Sequence, residues 1–549
     1  MSYVDHTEIH PQAKNKGKDK KIVDILKKES KNTINIFRRS FMNRLFTLCL
    51  LIVAFFINGS HANEEKHYGA TKIIATIGPA SDSEEKIREL IKAGVNVFRF
   101  NMSHNTRDYH KATIQKVKKV SAALGIPVAV LVDLQGPRIR IGKFKQGSIM
   151  LNKGDTIQFD LMNKEGEANR VYFPHPEVFN QLREGIRIFL DDGKVRLVVV
   201  STNSKDAATL KVIEGGKLSN NKGVNIPDIV LPISAITEKD SGDLISVIQE
   251  KPDWVALSFV QSAKDMLDLK ALIKSHGSDA RTIVKVETIP AVQPKALREI
   301  VKATDAVMVA RGDLSVEALP ENIVGLQDRI MEATHKQRKP LIVATQMMES
   351  MVNSPRPTNA EVVDVTYAVR NFADCVMLSG ESAVGKYPVH AVTSMQTIAN
   401  NAEDILLREK NFFARKLTYD DKICCSSESL FDAISNFANT GSINDIIVVR
   451  NKKGTSAKDY ANFIEKLSLA KPLANIVSVI GEDEQIRFDY LSLFRGVYPL
   501  KKKATQQQKS SKATCGNNAT SVIFEGVASK EVGRLYTSDY VLLFCRKDS

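Results

Sequence analysis

No G-x-x-x-x-G-K-[ST] sequence occurs in the 549 residues, so no P-loop holds a nucleotide. No C-x-x-C pair and no cysteine–histidine cluster at zinc spacing occurs, which removes zinc ribbons and thioredoxin-like redox motifs. The six cysteines, Cys49, Cys375, Cys424, Cys425, Cys515 and Cys545, are too sparse for a disulfide scaffold and read as thiols of a reducing compartment. There is one tryptophan, and the body lacks Lys/Arg clusters with interleaved aromatics, which argues against nucleic acid as a partner. Hydrophobic residues (43%) and charged residues (26%) stand near globular averages, excluding a disordered, collagen-like or multi-span membrane protein.

The net charge of +14 is unevenly placed. Residues 1–44 hold eleven Lys or Arg and five acids, so this leader carries +6 and the remaining chain +8. The apolar run LFTLCLLIVAFFI (45–57) has thirteen residues, short of the roughly 20 a span needs. Preceded by Arg38, Arg39 and Arg44 and followed by Ser60-His61-Ala62, it fits a signal peptide from Met42 with cleavage after Ala62. The expectation is a cytoplasmic protein with no stable membrane span in its body. The alternative is export or organellar delivery through residues 42–62. Asn58-Gly59-Ser60 and Asn518-Ala519-Thr520 match a glycosylation pattern that is common by chance.

From Lys72 onward, short apolar runs alternate with amphipathic stretches. The runs are KIIATIG (72–78), VNVFRFNM (95–102), PVAVLVDL (127–134), WVALSF (254–259), TIVKVE (282–287), DAVMVAR (305–311), PLIVATQ (340–346) and CVMLSGE (375–381). Helix-like segments such as Ser83–Ala93 and Asn322–Gln337 lie between them. Near-continuous apolar strands with crossover helices predict a parallel sheet, and eight such units predict a closed barrel. Residues 136–233 break the rhythm: SIMLNKGDTIQFD and IRIFLDDGKVRLVVV alternate as antiparallel strands with Gly turns, predicting an inserted lid. After about residue 405, IIVVR (446–450), NIVSVIG (475–481) and YVLLFC (540–545) predict a second α/β unit, and the polar stretch 501–520 a flexible loop. The domains are therefore read as a leader (1–68), a barrel (69–135 and 234–405), a lid (136–233) and a C-terminal α/β domain (406–549).

Polar residues gather at the C-terminal ends of the barrel strands, where barrel enzymes build their sites. They are Thr76; Arg99, Asn101 and Ser103; Asp133; Ser258; Lys285 and Glu287; Arg311 and Asp313; Thr345; and Ser379 and Glu381. Glu287 and Asp313 end neighbouring strands and suit an octahedral divalent ion that leaves positions for substrate oxygens. Lys285 lies two residues from Glu287, so both point to one face of a strand. With Arg99, Arg138, Arg140, Lys222 and Arg311 they make a concentrated anion site, which is what phosphoryl transfer needs.

Nine stretches resemble pyruvate kinase over roughly 71–405, and more loosely to the end. They are TKIIATIGPAS (71–81), FRFNMSHN (98–105), VDLQGPRIRIG (132–142), NKGVNIPD (221–228), KVET (285–288), VMVARGDLSVE (307–317), ATQMMESM (344–351), NAEVVDV (359–365) and MLSGESAVGKYP (377–388). The resemblance implies transfer of the phosphoryl group of phosphoenolpyruvate to ADP, giving pyruvate and ATP, the last step of glycolysis. It implies a (β/α)8 TIM barrel with an inserted β-barrel lid domain, a C-terminal α/β domain and a homotetramer. By motif, Glu287 and Asp313 are implied to bind Mg2+ or Mn2+, and Lys285 to stabilise the transferring group. Arg99 and Arg140 would hold phosphate oxygens, and Asn101, His104, Arg140, Lys222 and Asp192 would serve the nucleotide. The backbone at Gly312, with Asp313 and Thr345, would receive the substrate carboxylate. Thr345 would lie near the methylene that is protonated, above a relay of Ser379 and Glu381.

The chain also departs from the family pattern. A potassium ion is held in many members by positions matching Asn101, Ser103, Asp133 and the carbonyl of Leu134. This chain has DLQGPRIRIG and so resembles the potassium-independent subgroup, with Arg138 supplying the missing charge. Ser315 replaces the usual Gly after RGDL, a change expected to strain that loop. KKGTSAK (452–458) is the nearest candidate for an effector site. A phosphoenolpyruvate-using lyase or aldolase is the alternative enzyme, which would not need ADP. A nucleic-acid or membrane binder is the non-enzymatic alternative.

Overall fold

The computed structural model describes residues 69–408, five C-terminal strands and the short segments 462–465, 467–468 and 493–494. The leader, the effector candidate at 452–458, both glycosylation patterns and all of 503–528 lie outside the described residues.

All eight apolar runs form strands: Lys72–Thr76, Val95–Asn101, Ala129–Asp133, Trp254–Leu257, Arg281–Val286, Ala306–Ala310, Leu341–Ala344 and Cys375–Leu378. They pair in parallel into a closed barrel in which the last strand returns to the first. Both faces of these strands are covered, so their residues are almost all buried and the sequence shows runs rather than alternation. The surrounding helices are set by local signals. Ser83 caps Glu84–Ala93 by accepting from the Lys86 N–H, and Gly94 at φ +120 ends it. Thr358 and Glu361 form a capping box at the start of Asn359–Arg370.

The helix that ends the barrel, Pro388–Arg408, buries Ala391, Val392, Met395, Ala399, Ala402 and Leu406, mostly at three- and four-residue spacing. Its Glu403 accepts from the Ala70 and Thr71 N–H groups at 2.7 and 2.6 Å, tying the end of the barrel to its beginning. The boundary read at 405/406 falls inside this helix, which runs to Arg408.

Between the third and fourth barrel strands, the insertion makes a six-stranded sheet and a two-stranded ribbon of Ser148–Leu151 with Gly216–Ser219. Both pieces feed one core around Phe159, Phe173, Phe179 and Leu197. The hairpin of Arg187–Leu190 with Val195–Thr202 turns through Asp191, Asp192 and Gly193, all at positive φ. Asp and Gly tolerate that region best, which is why an LDDG sequence stands there.

C-terminal strands Asp445–Arg450, Asn475–Gly481 and Tyr540–Lys547 match the predicted runs. Two others, Val497–Lys502 and Ser529–Tyr536, had no clear pattern in sequence. Lys501 and Lys502 therefore belong to a strand, not to the polar loop read from 501. That strand is at the sheet edge, where Pro499 is tolerated.

Candidate active site

Strand register brings the first cluster together. Thr76 lies opposite Arg99, and Asn101 opposite Asp133. The Arg99 guanidinium donates to Asp133 Oδ2 at 2.7 Å and to Thr76 Oγ1 at 2.9 Å, and only 7% of Arg99 is exposed. Lys285 Nζ donates to Ser258 Oγ at 2.6 Å and lies 3.3 Å from Glu287 Oε2 and 3.7 Å from Asp133 Oδ1. Burial alone would lower the Lys285 pKa, but Asp133, Glu287 and Asp313 outweigh it and hold the value above the ordinary one. The amine therefore stays charged. Glu287 is fully buried, and burial pushes its carboxyl up to about 8 in spite of Lys285 beside it.

Asp133 and Asn101 are also expected ligands of a monovalent ion. Asp133 already faces two cations, Arg99 and Lys285, and the Asn101 Oδ1 accepts from the Ser103 N–H at 3.1 Å. The Leu134 carbonyl accepts from the Ser258 hydroxyl at 2.8 Å.

A second cluster joins the sixth and seventh strands. Thr345 sits at φ +66, an outlier for a β-branched residue, and Gln346 follows at φ +54. The Gly312 N–H donates to Thr345 Oγ1 at 2.7 Å, and that hydroxyl donates to the Ala344 carbonyl at 2.6 Å. The Gly312 N–H is thus engaged by Thr345 in this structure. Arg311 donates to the Thr345 carbonyl at 2.8 Å and to Asp364 at 2.6 Å. Arg311 therefore braces this turn and has its charge met by Asp364, a correction to its expected place in the anion site. Ser315 is also corrected: it lies in the helix Arg311–Glu317, at negative φ, and its hydroxyl donates to the Gly312 carbonyl at 2.8 Å.

At the eighth strand, Glu381 is buried and accepts from the Ser379 and Met348 N–H groups at 2.7 and 3.2 Å. Burial raises its pKa. The Ser379 Oγ is buried with no hydrogen-bond partner among the described residues.

The inserted domain carries further cations. Arg140 is exposed and donates to the Asn221 carbonyl at 2.6 Å, and His104 is exposed at the barrel mouth. Lys222 pairs with Asp191 at 2.7 Å, and its hydrogen bond lowers the Asp191 pKa. Asp192, the residue singled out in sequence, instead lies 3.7 Å from Arg138. A cleft is lined by Arg138 and Asp192 of the inserted domain and by Phe259, Asp313 and Glu317 of the barrel.

The carboxylates fit a divalent ion. Glu287 Oε1 accepts the Phe259 N–H at 2.6 Å, while its buried Oε2 accepts no hydrogen bond. A buried acid so disposed gains most from a cation. Among the described residues no three His, Cys, Asp or Glu gather as a ligand set. Two carboxylates with open positions suit Mg2+ or Mn2+ better than a closed zinc site.

Sequence reasoning missed two residues. Phe259, at φ +56, delivers its N–H to Glu287. Glu317 is 6% exposed and bonds to both barrel and lid. Glu317 ends the VMVARGDLSVE motif, but nothing in the local pattern marked it.

A family model described as "Pyruvate kinase, barrel domain" matches residues 68–392. The chain is 38% identical to a pyruvate kinase of Methylorubrum extorquens, covering 78% of this chain and 86% of that one. It is also 38% identical to pyruvate kinase 2 of Synechocystis, covering 78% and 70%. A crystal structure of a pyruvate kinase from Cryptosporidium parvum superposes with a TM-score of 0.72 at 28% identity, covering 80% of this chain and 88% of that one.

Proposed function

The chain belongs to the pyruvate kinase family, and on that premise we propose how its own residues carry the reaction. It is a phosphotransferase that moves the phosphoryl group of phosphoenolpyruvate to ADP. The bond from the enol oxygen to phosphorus breaks, a bond to the ADP terminal oxygen forms, and the enolate left behind takes a proton at its methylene carbon.

Arg99, fixed by Asp133 and Thr76, holds phosphate oxygens. The Lys285 ammonium, steered by Ser258, faces the charge on the group in flight. A divalent ion held by Glu287 and Asp313 would neutralise phosphoryl and carboxylate oxygens. Thr345 positions the carboxylate and methylene end, and Ser379 with Glu381 supports proton delivery beneath it. Arg140, Lys222, Asn101 and His104 serve the nucleotide, with Asp192 at the lid turn. Arg138 stands in for potassium, so the monovalent ion is not required. We assign the active form to a homotetramer in the cytoplasm and the domain limits to those read above, with the end of the barrel domain moved to Arg408. Among the described residues no helix is long and apolar enough to cross a membrane.

The observation that carries the reading is Lys285 held among Ser258, Asp133 and Glu287 beside Arg99. The test is pyruvate release from phosphoenolpyruvate with and without ADP. Release that requires ADP and yields ATP is expected. Equal release without ADP would move the chain to the lyases.

A further inference from the structure

We propose that Glu317 is a positioning residue that couples the lid to the reaction centre, a role that rests on the phosphotransfer reading above. Three pieces of chain meet at its carboxylate. Oε1 accepts from Asn225 Nδ2 of the lid at 3.2 Å. Oε2 accepts from the Ile289 N–H at 2.9 Å, two residues past Glu287. Glu317 itself closes the short helix Arg311–Glu317, whose first turn carries Asp313. Asp313 and Glu317 are four residues apart, so they share one helix face.

The link reaches the lid turn by two routes. Val224 and Asn225 pair antiparallel with Leu190 and Phe189, the strand that runs directly into Asp191 and Asp192. Gly193, the third residue of that turn, rests on the same helix: a Cβ added to it would meet Val316 Cγ1 at 3.6 Å. The lid's return strand and its turn thus both bear on Val316 and Glu317. A carboxylate this buried is costly to place and is retained here by hydrogen bonds that cross from barrel to lid. Loosening it should disturb the nucleotide, which the lid holds, more than phosphoenolpyruvate, which the barrel holds.

The experiment compares wild type, Glu317→Ala, Glu317→Gln, Asn225→Ala and the Glu317→Ala/Asn225→Ala double variant, with thermal melts as folding controls. Glu317→Ala is expected to raise KM for ADP about tenfold and to leave KM for phosphoenolpyruvate within about twofold. Asn225→Ala should reproduce most of that effect, and the double variant should be little worse than Glu317→Ala. Glu317→Gln, which keeps one acceptor oxygen, should fall between. Equal changes in both KM values, no change in either, or full additivity in the double variant would overturn the proposal. Should Glu317→Ala fail to fold, Glu317→Gln and Asn225→Ala carry the same comparison. An inactive wild type would instead sink the phosphotransfer reading, so the two failures are distinguishable.

Discussion

Gly312 gives its backbone N–H to the Thr345 hydroxyl at 2.7 Å, joining the segments that follow two neighbouring barrel strands, while Thr345 stands at φ +66. A β-branched residue in that region costs on the order of 1–3 kcal/mol and persists only when its surroundings fix it. Here Gly312 and Arg311 do so, the first through the Thr345 hydroxyl and the second through its carbonyl. Thr345→Val should lower kcat/KM by about 10²-fold and stability by about 1–3 kcal/mol, because the Gly312 N–H loses its acceptor. Thr345→Ser keeps the hydroxyl and should restore most of both. Steady-state kinetics with urea melts check this, and equal losses in the two variants would deny the hydroxyl its role.

Lys285→Met should cut kcat by about 10³-fold while leaving far-UV circular dichroism unchanged. Its ammonium is the cation held closest to Glu287, and methionine matches its length without its charge. A variant retaining a tenth of wild-type turnover would show that another group carries the charge.

Metal should stabilise the fold as well as the reaction. The buried Glu287 oxygen without a hydrogen bond makes added Mg2+ favourable to the native state. At about 100 times its dissociation constant the gain is roughly 2.7 kcal/mol. Melting curves with and without Mg2+ measure it, and Glu287→Gln should abolish most of the shift. An undiminished shift in that variant would place the ion elsewhere.

Glu317 predicts a pH dependence of stability. Burial raises its carboxyl from 4.5 to about 7, with Asn225 and Ile289 opposing. Between about pH 4.5 and 7 the native state holds a proton that the unfolded chain has released. Its contribution is therefore complete below pH 4.5, is lost as pH rises, and levels off above about 7. The loss is at most about 3 kcal/mol. Urea midpoints of wild type and Glu317→Gln should diverge across that window, wild type falling faster. Parallel curves would show that the carboxyl does not titrate there.

Replacing potassium by sodium or tetramethylammonium should cost less than about tenfold in rate, equivalent to roughly 1.4 kcal/mol. Arg138→Glu should create a potassium requirement, since it removes the cation that stands near Asp192. A larger loss in wild type would make potassium essential.

The barrel was legible because its strands are short apolar runs, closed by both neighbours and helices, and their ends carry chemistry at two-residue spacing. Lys285 and Glu287 share a face for that local reason, and both lie at the site. The LDDG turn was legible too, since its positive φ values demand small or Asx residues. Less was visible where a residue's partner lies far along the chain. Arg311 looked like one more anion-binding cation until Asp364, 53 residues on, took its charge. The lysine at 222 chose Asp191 over Asp192 through the pairing of two lid strands.

The sequence by itself determined the barrel, the inserted β domain and the residue types of a phosphotransfer site, because each is written in local periodicity and contiguous motifs. Tertiary structure alone decided which of those charges face the cleft and which are consumed inside the protein. Glu317 shows the reason. Its two hydrogen bonds reach Ile289, 28 residues away, and Asn225, 92 residues away. Closure of the barrel and return of the lid strand bring these groups within hydrogen-bonding distance, and no periodic pattern in the chain encodes that meeting.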